Sequence, residues 1–203
     1  MTGNMTSDTT GKWIFICGPS GVGKHSVIAW SIQALAGQSS IVFAPRLVTR
    51  TAQPGSSDEA VGEHDFLSLR QSGGLCWHWQ AHGFHYGISQ HYASVVSAGG
   101  TVVINGSRSH VDGLAVSPSI KRVEITASSE KIAARLAQRG RDAPEAILQR
   151  LKRNVELGQP DAPKADITIH NDADLAAAGT QLKTYLAVQA GADVRLARSI
   201  TAA

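Results

Sequence analysis

Short apolar runs alternate along this chain with longer stretches of helical periodicity. Residues 13–17 are an apolar run of strand length, followed by a glycine-rich turn and a helical pattern to about Leu35, with Gly37 as its stop. A second short strand at 41–44 ends at Pro45, and a basic stretch, Arg46-Leu47-Val48-Thr49-Arg50, leads into a polar loop at 53–59. Residues 65–71 fit a short helix. Residues 75–88 read as two strands meeting near Gly83, with His78, Gln80 and His82 on one face and Trp77, Trp79 and Ala81 on the other. A helix at 89–98 precedes Thr101-Val102-Val103-Ile104, an apolar run typical of a central parallel strand. Residues 120–126 form another strand. Ser128 caps the next helix, which turns Ile132 and Leu136 inward and is broken by Gly140-Arg141. Asp142, Pro144 and Glu145 open a further helix. After a turn at 158–164, a strand at 167–169 and a helix at 174–188 complete the pattern. Strands alternating with helices predict an α/β fold, with a mostly parallel sheet covered by helices on both faces.

The turn after the first strand carries the clearest chemistry. Gly18-Pro19-Ser20-Gly21-Val22-Gly23-Lys24 completes the G-x-x-x-x-G-K pattern between a strand and a helix, the context a phosphate-binding P-loop requires. Its glycines let backbone N–H groups close around an anion, the helix N-terminus adds partial positive charge, and Lys24 adds a full one. The next position normally holds a magnesium-binding hydroxyl. Here it is His25, with Ser26 one residue later. Imidazole is a poor partner for magnesium, which leaves two expectations: water bridges the ion, with Ser26 or a carboxylate such as Glu63 or Asp65 helping, or the protein has drifted toward weak metal use and low activity.

Composition narrows the picture only slightly. The chain has 203 residues, 42% of them hydrophobic, enough for one sizeable core. No run approaches the ~20 apolar residues of a membrane span, and the polar start lacks a signal-peptide core. The two cysteines, Cys17 and Cys76, have no metal-site spacing and suit reduced thiols in the cytoplasm. A net charge of +3 and a pI near 9.0 do not argue for nucleic acid, but they suit ligands carrying several phosphates. His78, His82 and His85 could ligate zinc by spacing alone, although alternation sends His85 to the other face; packing or contacts to a sugar hydroxyl are the competing readings.

Several tracts together resemble the guanylate-kinase-like branch of the P-loop nucleoside-triphosphate hydrolase fold over nearly the whole chain. They are the P-loop, Thr49-Arg50, Tyr86-Gly87, the arginine series Arg135, Arg139 and Arg150, and Asp166-Ile167 with Asn171. The resemblance implies a single domain over 12–189, with an acceptor-binding lobe at about 46–88 and a helical lid at about 135–154. A leader at 1–11 and a tail at 190–203 flank it. It further implies that residues 18–26 bind ATP with Asn171, that Lys24, Arg135, Arg139 and Arg150 are catalytic, and that magnesium accompanies the nucleotide. Asn171 could equally be the N-cap of the last helix, and Arg46 and Arg50 could be plain surface charges.

Departures from guanylate kinases matter as much. His64-Asp65-Phe66 stands where a tyrosine-containing stretch is usual, and Asn105-Gly106-Ser107-Arg108 replaces an acidic end to the central strand. Guanine needs acceptors for its ring N–H and amine, so their loss costs discrimination while Arg108 adds positive charge. The tracts His78-Trp79-Gln80-Ala81-His82-Gly83 and Asn105-Gly106-Ser107-Arg108 resemble the ribose 1,5-bisphosphate phosphokinases of phosphonate catabolism. That resemblance implies a phosphorylated sugar as acceptor, held by Arg46, Arg50, Tyr86, Asn105 and Arg108, and 5-phosphoribosyl 1-diphosphate as product. A divergent guanylate kinase, another small-molecule kinase and a non-catalytic binding module remain alternatives, and a homo-oligomer is left open.

Overall fold

A computed structural model describes residues 11–52, 56–138 and 164–191, with isolated positions at 145, 149, 151 and 152. The central sheet has five parallel strands in the order β2-β7-β1-β8-β9: β1 (Lys12–Cys17), β2 (Ile41–Ala44), β7 (Thr101–Asn105), β8 (Ile120–Thr126) and β9 (Ile167–His170). β1 lies in the middle because its residues are buried on both faces. Ile14 and Ile16 join one apolar cluster with Val103, Val123 and Ile125, and Phe15 and Cys17 join another with Val102 and Ile104. The first face is covered by helices α1 (Lys24–Ala34) and α6 (Leu175–Gln189), which contribute Val27, Ala178, Leu182 and Leu186. Gly179 lets these helices approach, since a Cβ there would strike the Trp30 indole ring. The second face is covered by α3 (His91–Ser97), α4 (Arg108–Asp112) and a second sheet.

That second sheet has the order β4-β3-β6-β5, built from β3 (Leu47–Val48), β4 (Glu59–Ala60), β5 (Leu75–Ala81) and β6 (Phe84–Ser89), with α2 (Glu63–Gln71) beside it. The hairpin turns at His82 and Gly83, both at positive φ (52° and 79°), as a tight two-residue connection requires. The basic stretch and polar loop of the sequence thus become paired strands, β3 and β4. Two residues each are too few to show a strand period. The pairing is imposed by β6, which β3 joins antiparallel. α4 was also absent from the sequence reading, because five residues are too few to show a helical period. Its start is capped by Ser107, whose Oγ accepts from His110 N at 3.4 Å.

α5 (Ser129–Gln138) turns Ile132 and Leu136 inward as its periodicity predicts, and Ser128 Oγ accepts from Lys131 N at 3.4 Å. The expected helix opened by Asp142, the turn at 158–164, Arg139 and Arg150, and most of the leader and tail lie outside the described residues. No helix among the described residues is long and apolar enough to cross a membrane.

His110 stacks on Trp79 at 4.7 Å, with Phe15 edge-on at 5.7 Å. Burial, aided by nearby His78, pushes its imidazole down to about 4. The unfolded chain takes up this proton near pH 6.5 and the folded one does not. Stability should therefore be complete above pH 6.5 and fall as pH drops from 6.5 toward 4. The expected loss is on the order of 2 kcal/mol, because the half-buried ring keeps some water. Urea titrations at several pH values check it: His110→Phe should flatten the pH dependence over this window.

Candidate active site

The P-loop, residues 18–24, leaves β1 at its C-terminal end. Gly18, Gly21 and Gly23 sit at φ +139°, +88° and +91°, so the loop needs glycine at each. At Gly18 a Cβ would also collide with the Ile125 carbonyl of β8. Gly23 caps α1 with no side-chain bond, and the first turn holds no acidic residue. The first amides of that helix therefore face the loop without a resident carboxylate, which suits an anion. Lys24 Nζ donates to the carbonyls of Gly18 and Pro19 at 2.7 and 2.9 Å. The Cys17 thiol just beneath is pushed up to about 12, chiefly by burial, so it is no nucleophile at neutral pH.

Two residues brace the loop from behind. Asn171 is 3% exposed, and its Nδ2 donates to Val22 O at 2.8 Å. Arg135 donates from Nη1 to the same carbonyl at 3.2 Å and from Nη2 to Asn171 O at 2.8 Å. The capping role weighed for Asn171 is not the one it plays. Asp174 caps α6, its carboxylate accepting from Ala176 N at 3.2 Å, because the chain turns into the helix three residues later than Asn171. Asn171→Ala should raise the KM for ATP about tenfold, since one buried bond that shapes the loop is lost. Initial-rate kinetics check it, and an unchanged KM would mean that Arg135 suffices.

Across the C-terminal edge of the sheet lies a cluster built on the second sheet. Arg46 and Arg50 flank β3, and both hold Asp58 just before β4. Arg46 donates from Nε and Nη2 to the two carboxylate oxygens of Asp58, each at 2.9 Å, and Arg50 Nη2 donates to Asp58 Oδ2 at 2.8 Å. The Asp58 side chain is 3% exposed. Arg46 Nη1 also reaches Asn105 O, at 2.9 Å, and Arg50 Nε reaches the Tyr86 hydroxyl at 3.4 Å. Both guanidinium groups lie near the Tyr86 ring, at 5.3 and 5.9 Å, and Trp79 stacks behind it. Gly87 must follow Tyr86, because a Cβ there would press on Phe66 and Leu75 at 2.9 Å.

The candidate residues therefore gather in two groups at one edge of the sheet: residues 18–26 with Arg135 and Asn171, and Arg46, Arg50, Tyr86 and Asn105. Arg108 opens α4 at the same edge, and loss of water pulls its guanidinium below the ordinary value while Glu124 opposes the shift. His25 Nε2 lies 3.3 Å from Asn105 Nδ2, so the two groups touch. Loss of water, and then Arg46, lower the His25 pKa and favour the neutral ring.

Magnesium finds few protein ligands here. No group of three His, Cys, Asp or Glu side chains able to hold a metal ion occurs among the described residues, and Glu63 of α2 faces His85 of β6 at 3.7 Å. The donor set does not fit a metal ion held directly by side chains, and Ser26 is exposed in the first turn of α1.

Sequence reasoning missed Asp58 and Arg122. Arg122 is buried in β8 and donates to the carbonyls of Val111 and Leu114, at 3.3 and 2.6 Å, which ties down the end of α4. A charged residue in mid-strand was the available signal. Asp58 gave none beyond its charge.

No protein-family model matches the chain. Among curated proteins, the ribose 1,5-bisphosphate phosphokinase of Brucella melitensis biotype 2 is 36% identical over 187 residues, covering 90% of this chain and 94% of the relative. The chain belongs to the ribose 1,5-bisphosphate phosphokinase family. A Thiobacillus denitrificans relative of the same name is 33% identical, covering 87% of this chain and 93% of its own length. A Laribacter hongkongensis relative of that name is 37% identical over 92% of this chain, and the chain spans 45% of that protein's length. Among solved structures, guanylate kinase from Anaplasma phagocytophilum superposes with a TM-score of 0.61 at 16% identity, covering 90% of this chain and 87% of that one. The fold is thus that of the guanylate-kinase-like P-loop kinases.

Proposed function

We propose that the chain moves the γ-phosphoryl group of ATP to the 1-phosphate of ribose 1,5-bisphosphate, giving ADP and 5-phosphoribosyl 1-diphosphate. The reading rests on one observation above the others: the P-loop faces a buried arginine cluster, and His25 and Asn105 bring the two within contact. The names of the relatives supply the acceptor.

The reaction asks little of the protein beyond positioning and positive charge. An oxygen of the 1-phosphate attacks the γ-phosphorus as the bond to the β–γ bridging oxygen breaks, and ADP leaves with that electron pair. The attacking oxygen is already ionised at neutral pH, because the second pKa of a phosphate monoester is about 6. No general base is required. The P-loop amides and Lys24 hold the outer phosphates of ATP and offset charge on the transferring group. Arg135 keeps the loop in shape, and its remaining N–H groups, with Arg139 and Arg150, serve the nucleotide. Arg50, Arg108 and Asn105 hold the bisphosphate, with Tyr86 and Arg46 setting their position. Magnesium bound with the triphosphate would offset its negative charge, and Ser26, exposed in the first turn of α1, would be the residue to reach it through water.

Phosphorus NMR tests the proposal. Incubation with ATP and ribose 1,5-bisphosphate should convert the 1-phosphate resonance into a diphosphate pair as ADP appears. ADP release without that pair would refute it.

A further inference from the structure

His25 replaces the hydroxyl that a P-loop ordinarily carries after its lysine, and its ring nitrogen lies against the acceptor side of the site. From His25 Nε2 a chain of contacts runs to Asn105 Nδ2 at 3.3 Å, and from Asn105 O to Arg46 Nη1 at 2.9 Å. It continues through Asp58 to Arg50 and ends at the Tyr86 hydroxyl. It spans from the first turn of α1 to β6 without a break. We propose that His25 is a positioning residue for the acceptor half of the site: its Nε2 accepts a hydrogen bond from the Asn105 carboxamide and fixes the strand end to which Arg46 is tied.

The chemistry of the pair sets its direction. With the Asn105 amide oriented as in the structure, its Nδ2 donates, so His25 Nε2 accepts and the ring proton sits on Nδ1. A serine at position 25 would be too short to make this contact, and a threonine likewise. The Asn105 Oδ1 atom is buried and has no protein partner in the structure. With Nδ2 committed to His25, the carboxamide is held with Oδ1 turned away from solvent, so the bond acts by fixing the Asn105 end of β7 and, through its backbone carbonyl, Arg46. His25 thereby serves the acceptor although it belongs to the nucleotide loop. The identity of that acceptor rests on the function proposed above; the hydrogen bond does not.

Two measurements on the full-length protein test the inference. In kinetics, His25→Ala should raise the KM for ribose 1,5-bisphosphate about tenfold, the usual worth of one such bond, with a much smaller change in the KM for ATP. His25→Gln places an amide oxygen within reach of Asn105 and should recover most of that loss. Nitrogen-15 NMR of the native protein without substrate should show the His25 ring as the Nδ1–H tautomer, the signal being assigned by its absence in His25→Gln. Asn105→Ala should shift that ring toward the Nε2–H form. An Nε2–H ring in the native protein would overturn the inference. So would a His25→Ala variant altered only in ATP or magnesium requirement. If the native protein does not phosphorylate ribose 1,5-bisphosphate, the functional proposal fails, and the tautomer still decides the role of His25.

Discussion

Replacing Lys24 with Ala is expected to lower kcat by on the order of 10³, with the fold intact. The ammonium is the one full charge on the P-loop, and it acts on negative charge that grows on the transferring oxygens; losing a donor aimed at such charge costs two to three powers of ten in comparable sites. It donates locally, to the Gly18 and Pro19 carbonyls six and five residues back. The P-loop lies at the edge of an apolar core that Lys24 does not join, so the melting temperature should shift by only a few degrees. Lys24→Arg should recover little, because a planar fork cannot take the place of a compact ammonium beside the loop carbonyls. Turnover and thermal unfolding measured on the same preparation check this, and a Lys24→Ala protein with near-native kcat would show the loop to be a relic.

Asp58→Ala should have the second largest effect, and on two quantities at once. Asp58 is the shared partner of Arg46 and Arg50, and the Arg46 side chain is 9% exposed. Removing the carboxylate leaves a buried guanidinium without its anion, a change that costs about 3 kcal/mol or more. It also frees Arg50 and unties Arg46 from β4, so the acceptor KM should rise by on the order of tenfold to a hundredfold. Asp58→Asn keeps the shape and one acceptor oxygen, and should fall between the two in both stability and KM. Urea unfolding and acceptor titrations check the pair of effects. Full stability with an unchanged KM would mean that the cluster does not support the acceptor site.

The P-loop was legible because its meaning is local: three glycines and a lysine in register, between a strand and a helix, already specify a phosphate cradle. The parallel sheet was legible because its strands are short apolar runs separated by helical periods. The hairpin was legible from Gly83, the residue best able to turn there. Asp58 was not legible, because its role depends on β3 and β4 pairing across a loop of serines and glycine. Nothing in the local sequence separates Asp58 from a solvated charge. Arg135 resembled a lid residue and also braces the P-loop, a contact between positions 113 residues apart. Asn171 carried two readings in sequence. The structure removes the capping reading, since Asp174 makes the cap, and adds a brace on the P-loop, since Asn171 turns toward Val22.

The central claim is that the acceptor site reads phosphate and sugar rather than a purine base. It is tested most directly by kcat/KM for ribose 1,5-bisphosphate and for GMP, measured with the same ATP concentration and salt. The bisphosphate should be preferred by at least a hundredfold, since a site without paired acceptors for guanine leaves its N–H groups unmet. A GMP value equal to or above that for the bisphosphate would contradict it.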